Sequence, residues 1–269
     1  MHQLISSRSI VASLVAASCL LSPPAAAQEV LNRPHLDVIY AATPNNVVER
    51  MLGMARVRSA DYVIDLGSGD GRVLVAAAKT HGARGFGVDI DPERVKEARQ
   101  NAQAAGVADR VEFRQQNLFE TPIRDATVLT MYLMPDVNLK LRPRILSELR
   151  PGTRVVSHNF DMKDWKPDKR ASVGRSRVYM WIVPAKVEGR WSVQTDDGQS
   201  LALDLKQRYQ EIEGTATLDG RAFPIREGRV RGAQISFAIA TGQGHTIRYT
   251  GQIVRNMIQA RRVRKNRSG

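Results

Sequence analysis

Between residues 62 and 92 the chain carries a short apolar strand, a run of closely spaced glycines, and a second strand ending in an acid. This arrangement constrains the fold more than any other feature. The strand Tyr62-Val63-Ile64-Asp65-Leu66 runs straight into Gly67-Ser68-Gly69-Asp70-Gly71 and then into a helical pattern through Val73, Ala76 and Ala77. Three positions without a β-carbon let the backbone turn sharply and pass close beneath a ligand. The second strand, Gly85-Phe86-Gly87-Val88, ends at Asp89, where a carboxylate can accept both hydroxyls of a ribose. Together these residues specify a βαβ unit and an adenosine-type ligand lying over the carboxyl ends of two parallel strands.

The flanking sequence extends the alternation. Thr43-Pro44 reads as a hydroxyl N-cap followed by a proline at the first helical position, with Val47, Val48, Met51, Leu52 and Ala55 on one face. After Asp91-Pro92, Val95, Ala98, Ala102 and Ala105 mark a helix ending at Gly106. Further strands are expected at Val111 to Arg114, Ala126 to Leu133, Arg154 to Phe160 and Val178 to Val183, with a helical region from Val137 to Leu149 interrupted at Pro143. From about Ala185 the helical pattern disappears. Period-two runs at Trp191 and Val193, at Leu201 to Leu205, at Ile235 to Ile239 and at Ile247 to Ile253 are separated by Asp197-Gly198, Asp219-Gly220 and Gly242-Gln243-Gly244. The predicted architecture is α/β over residues 28–184, a doubly wound and mostly parallel sheet, followed over 185–260 by a small all-β domain, an antiparallel barrel or sandwich.

Residues 1–27 are expected to be removed. His2 and Arg8 precede an apolar stretch from Ile10 to Leu21, too short to span a bilayer, then Pro23-Pro24 and Ala25-Ala26-Ala27. This pattern predicts a secretory signal cut after Ala27, and hence a periplasmic or secreted protein. A lipid-attachment reading of Cys19 ranks below it, because the leading Leu of that motif is missing. Cys19 is the only cysteine, so the mature chain would hold no disulfide and no cysteine-based metal site or nucleophile. The whole chain carries a formal charge of +13, and residues 255–269 hold six basic residues and no acid. A basic tail over 261–269 is therefore a candidate contact for an anionic surface.

The glycines also discriminate between cofactors. A pyrophosphate calls for Gly-x-Gly-x-x-Gly opening a helix, whereas here the spacing is Gly-x-Gly-x-Gly with Asp65 and Asp70 alongside. Carboxylates repel a pyrophosphate and suit an ammonium or sulfonium. The residues favour S-adenosylmethionine over a nicotinamide dinucleotide.

On these residues the chain resembles the class I, Rossmann-like methyltransferases: Asp65 to Gly71 is similar to their motif I, and Gly87-Val88-Asp89-Ile90-Asp91-Pro92 to the acidic motif that follows. Tyr40-Ala41-Ala42-Thr43-Pro44, then Val47-Val48 and Met51-Leu52, bring the resemblance to the small lysine methyltransferase group that includes the ATP synthase c-subunit enzyme. It covers residues 37–184. The resemblance implies that Gly67, Ser68, Gly69 and Gly71 line the methionine part of the cofactor, with Asp65 near its ammonium and Asp70 also among the cofactor-binding residues. It places Asp89 on the ribose, Ile90 against the adenine, and Asn117 and Leu118 at the adenine edge, where many relatives have Asp in place of Asn117. Tyr40 and Thr43 lie in the segment that would fold over the cofactor.

Methyl transfer from a sulfonium needs alignment and a lone pair on the acceptor, not an enzyme nucleophile. For a lysine, with a free pKa of about 10.4, roughly one amine in a few thousand is neutral at pH 7. Candidates to orient it follow strands four and five: Tyr132, His158, Asn159, Asp161 and Trp165. The expected activity is methylation of a protein lysine. Alternatives are a small-molecule or RNA acceptor, or a non-catalytic envelope protein that retains the fold for binding. Export would carry the chain away from the cytosol, where S-adenosylmethionine is made.

Overall fold

The computed structural model describes residues 41–196, 198–242, 245–255 and 257–263, within one compact unit spanning residues 36–269. The first half runs α1 (Asn45–Ala55), β1 (Tyr62–Leu66), α2 (Arg72–His81), β2 (Arg84–Asp89), α3 (Pro92–Ala104), β3 (Val111–Gln115), β4 (Val128–Met131), α4 (Pro135–Glu148), β5 (Arg154–His158), β6 (Lys169–Val173) and β7 (Ser176–Ile182). These strands form one sheet in the order β3-β2-β1-β4-β5-β7-β6. Strands β1 to β5 pair in parallel, and β7 enters antiparallel between β5 and β6.

The central strands β1, β4, β5 and β7 are largely apolar because both faces of the sheet are covered there. Val63, Val128, Val156, Val178 and Met180 share a core with α1, α2 and α3. The alternate residues Ile64, Leu129, Val155, Tyr179 and Trp181 face the other way, onto Leu141 and Ile145 of α4. This is the doubly wound arrangement expected from the sequence.

Several local expectations give way to packing. Thr43 does not cap α1: the cap position is Pro44, without a side-chain bond, and the Thr43 hydroxyl is engaged by His158. The helix forms regardless, because burial of Val47, Val48, Met51 and Leu52, about 1.5–3 kcal/mol each, outweighs the roughly 1 kcal/mol that a cap adds. Helix α4 runs unbroken through Pro143. The ~3 kcal/mol cost of an internal proline is offset by Leu141 and Ile145 on either side, both fully buried. Strand β4 is shorter than expected, and β5 stops at His158 because Asn159 turns left-handed (φ 61°). Strand β6 escapes a sequence reading, since in Lys169-Arg170-Ala171-Ser172-Val173 only Ala171 and Val173 turn toward the core, too short an alternation to mark an edge strand.

The second sheet is a seven-stranded antiparallel meander, β8 (Gly189–Gln194), β9 (Ser200–Arg208), β10 (Glu211–Leu218), β11 (Arg221–Arg231), β12 (Gln234–Gly242), β13 (His245–Val254) and β14 (Met257–Arg262). Its edge strands approach one another through a Thr195–Ala260 bridge, giving a nearly closed, barrel-like sheet around Leu203, Ile235, Phe237 and Tyr249. The predicted turns separate β8 from β9, β10 from β11 and β12 from β13, although Asp197, Gln243 and Gly244 themselves lie outside the described residues. Strand β14 takes in Arg261 and Arg262, so the basic segment begins inside the sheet; residues 264–269 lie outside the described part. Trp165, a candidate site residue from the sequence, is fully buried between Trp181 and Tyr209 (5.8 and 6.0 Å). It joins the two sheets rather than lining a site. Asp164 reinforces this junction, accepting from Tyr209 Oη (2.8 Å) and Arg208 (3.1 Å), which holds its carboxyl well below the usual range.

Candidate active site

Strand register sets the site. Leu66 lies opposite Val88 and Met131, and Met131 opposite Ser157, so Gly67, Asp89, Tyr132 and His158 emerge side by side at the carboxyl edge. In an open α/β sheet this is the edge where ligands bind.

The β1–β3 part of the edge is acidic and tightly built. Gly67, Gly69 and Gly71 all have positive φ (74°, 52° and 78°), which only glycine adopts without strain. A β-carbon on Gly71 would lie 2.6 Å from the Phe113 ring, and one on Gly67 2.8 Å from Leu133. The turn is held from below: the N–H groups of Gly67 and Ser68 both donate to Val88 O (2.9 Å). Asp89 accepts from Gly69 N–H (2.9 Å) through one oxygen and from Asp91 N–H (3.0 Å) through the other. Its carboxylate is thereby fixed beside the glycine turn with lone pairs to spare.

Asp65 is buried and accepts from Thr130 Oγ1 (2.7 Å). Burial pushes its carboxyl up to about 7; the Thr130 bond opposes this and the nearby charges of Asp89 and Asp70 add to it. Asp70 is engaged within the protein. Its carboxylate takes the Arg72 guanidinium (Nε to Oδ1, 2.9 Å), while Arg72 Nη1 donates to Thr43 O (3.0 Å). The pair therefore ties the glycine turn to the segment before α1. Ser68 is buried, and its Oγ has no hydrogen-bond partner among the described residues. Gly87 makes room for it, since a β-carbon there would sit 2.6 Å from Ser68 Cβ.

Ile90 is exposed after β2, and Leu118 is half-buried after β3. Asn117 is engaged locally: Oδ1 accepts from Phe119 N–H (3.0 Å) and Nδ2 donates to Glu120 (3.2 Å). Tyr40 lies outside the described residues.

The β4–β5 part of the edge is neutral. The Tyr132 ring lies 4.0 Å from the His158 ring and 6.2 Å from Phe160. His158 is buried, its Nδ1 meets Thr43 Oγ1 (3.1 Å), and its Nε2 has no partner among the described residues. Burial alone lowers its pKa to about 4, so the imidazole is uncharged at neutral pH. Asn159 stands between Tyr132 and β7: Nδ2 reaches Tyr132 Oη (3.5 Å), and Oδ1 accepts from Arg177 N–H (2.9 Å). Asp161 is set apart from this group. Its Oδ1 accepts from Lys163 N–H (3.1 Å) in a local turn, and no hydrogen bond joins it to Tyr132, His158 or Asn159.

Sequence reasoning misses Thr130, Gly87 and the Arg72 bridge. Thr130 shows as a lone hydroxyl in an apolar strand and Gly87 as a glycine within one, signals of a polar contact and a close approach. Nothing local to Arg72 announces a partner 29 residues away.

The model for the ANTKMT methyltransferase domain matches residues 65–169. A protein-lysine N-methyltransferase of Saccharolobus islandicus (strain REY15A) is 43% identical over 155 residues, covering 56% of this chain and 95% of that one. The mouse adenine nucleotide translocase lysine N-methyltransferase is 33% identical over 148 residues, covering 55% of this chain and 64% of the relative, so the match spans under two thirds of the mouse protein. Among solved structures, an RNA methyltransferase from Salinibacter ruber, in complex with S-adenosyl-L-homocysteine, is 55% identical with a TM-score of 0.54. It covers 55% of this chain and 96% of that one.

Proposed function

The chain belongs to the S-adenosylmethionine-dependent methyltransferases that carry the ANTKMT methyltransferase domain, and from that premise we propose that its acceptor is a lysine side chain of a protein. The residues at the carboxyl edge fit the cofactor. Gly67, Gly69 and Gly71 hold the turn in its positive-φ shape, Ser68 Oγ is a buried polar atom without a partner among the described residues, and Asp65 and Asp89 are acceptors suited to an ammonium and to ribose hydroxyls. When bound, S-adenosylmethionine supplies a methyl group on a positively charged sulfur, open to in-line attack by a lone pair.

The observation that carries the lysine reading is the Saccharolobus relative, aligned over nearly its whole length. The neutral acceptor end supports it physically. A buried imidazole with a pKa of about 4 is about six units too weak a base to take a proton from a lysine ammonium near 10.4. His158 is therefore no general base. Together with Tyr132, Phe160 and Asn159 it forms a wall without net charge, and desolvation against such a wall favours the uncharged amine, whose proton leaves to water on entry. Tyr132 Oη, held toward Asn159, is the polar atom that orients the amine N–H. Among the residues read from the sequence, Tyr132 and Asn159 retain this role, and Asp161 takes no part in it.

A second reading, RNA as acceptor, draws on the likeness to the Salinibacter RNA methyltransferase and on Arg175 and Arg177, exposed on the β6–β7 hairpin beside Asn159. Labelled methyl transfer in an extract of the source cells separates the two. Label recovered as methyl-lysine after protein hydrolysis is expected, whereas label confined to nucleosides would overturn the lysine reading in favour of RNA. Export through the leader at residues 1–27 remains part of the proposal. Amino-terminal sequencing of the chain from cells tests it, with Gln28 expected as the first residue and an intact amino terminus opposing it.

A further inference from the structure

The basic residues of the second sheet are concentrated in one half of it: β8 to β10 hold only Arg190, Lys206 and Arg208, set among Asp204, Glu211 and Glu213. Residues 221–262, which make β11 to β14, hold eight arginines, no lysine, no aspartate and a single glutamate, and all eight arginines are exposed. Strand register gathers five of them on one face, since residues directly opposite on neighbouring strands, and those two apart along a strand, point to the same side. One row runs Arg226, Ala238, Arg248; the next Arg229, Ser236, Thr250, Arg261; the third Arg231, Gln234, Gln252, Gln259. Beyond the third row, at the tip of the β13–β14 hairpin, the facing pair on the same side is Val254 and Met257, 43% and 57% exposed, with Arg255 in the turn between them.

Two of the arginines have carboxylate partners, Arg248 on Glu227 and Arg229 on Asp168. Arg226, Arg231, Arg255 and Arg261 have none among the described residues. Arginine alone, with Ser, Thr and Gln between, matches phosphate oxygens, which a guanidinium binds through two parallel N–H groups. Two macromolecular surfaces present such phosphates, and the hairpin tip separates them. A nucleic acid would call for exposed aromatic rings to stack on bases, yet on these strands Phe237 and Tyr249 are buried and Phe223 is half-buried. An exposed Val–Met pair flanked by arginine instead suits the boundary between headgroups and acyl chains.

We propose that the outer face of β11–β14 docks the protein on an anionic phospholipid bilayer, with the arginine rows on the headgroup phosphates and the Val254–Met257 tip in the interface. The proposal does not depend on the identity of the methyl acceptor.

Co-sedimentation of the full chain with vesicles tests it, comparing phosphatidylcholine alone with phosphatidylcholine containing about 30% phosphatidylglycerol. The wild type is expected to bind only the anionic vesicles. Arg231→Gln with Arg261→Gln should weaken that binding roughly thirty-fold at low salt. Val254→Ser with Met257→Ser should leave the low-salt binding largely in place and abolish what survives at high salt. Arg264, Lys265 and Arg267 are present in every variant, so the differences belong to the sheet face. An unchanged circular dichroism spectrum and denaturation midpoint certify that each variant, second sheet included, is folded. Equal binding to both vesicle types, or wild-type affinity in the arginine variant, would overturn the proposal. So would binding to a double-stranded RNA of about 20 base pairs that is tighter than to anionic vesicles and indifferent to the tip variant.

Discussion

The two ends of the carboxyl edge are built on opposite electrostatic plans. Beside β1 and β2, Asp65, Asp70 and Asp89 crowd around a glycine turn, and burial pushes the Asp65 carboxyl up to about 7. Beside β4 and β5, Tyr132, His158 and Asn159 carry no charge, and burial holds His158 down to about 4. One end offers Asp65 and Asp89 to a cation, while Asp70 is already paired with Arg72. The other is prepared to strip charge from what enters. A methyl donor with an ammonium and a sulfonium, meeting an amine that must arrive neutral, requires both.

The sharpest way to break this comparison is through pH, because the two ends act on stability with opposite signs. Asp65 binds its proton more tightly folded than unfolded, so its contribution falls as pH rises from about 3.8 to 7, by about 4 kcal/mol across that window. His158 binds its proton less tightly folded, so its contribution is complete above about 6.5 and is lost as pH falls to about 4, by about 3 kcal/mol. In the ligand-free wild type the two nearly cancel. Denaturant unfolding of Asp65→Asn should therefore lose stability on acidification, and His158→Asn should lose it on raising the pH. Parallel pH profiles for the two variants would mean that the ends are not opposed.

Next in size is Asp89→Ala, which removes the acceptor for Gly69 N–H and Asp91 N–H as well as the proposed ribose contact. Affinity for S-adenosylmethionine should fall about 100-fold, two charged hydrogen bonds at about 1.5 kcal/mol each, as calorimetry would register. Tyr132→Phe sharpens the distinction between the ends: a turnover about tenfold lower is expected with cofactor affinity unchanged. A matching loss of cofactor affinity would place Tyr132 in the wrong half. Smallest is Thr43→Val, which removes the buried bond to His158 Nδ1 and should cost about 1 kcal/mol of stability, measured by the shift in denaturation midpoint.

The same division separates what the sequence discloses from what it withholds. Motif I and Asp89 are contiguous or a fixed βαβ unit apart, so their placement at one edge follows from local spacing, as does the parallel order around β1. The acceptor end is assembled from Thr43, Tyr132 and His158, which are remote in sequence. The bond between Thr43 and His158 spans 115 residues, and no local pattern encodes it. Thr43 looked like a helix cap because Thr-Pro before an apolar face commonly is one. Trp165 looked like a site residue because it follows β5, where ligands gather, whereas its ring joins the core between the two sheets. In the second sheet the apolar alternation disclosed the inward residues, while the arginine face emerged only once register placed the strands side by side.

The central claim, that a raised carboxyl awaits the cofactor's positive charge, is tested most directly by titrating the folded chain with S-adenosylmethionine at pH 6.5 in two buffers of different ionisation heat. Asp65 is then mostly protonated, and pairing with an ammonium should drive its proton off. The expected result is binding accompanied by release of roughly three-quarters of a proton, with the release absent in Asp65→Asn. Failure of the folded wild type to bind, or binding with the same proton count in both proteins, would contradict the claim.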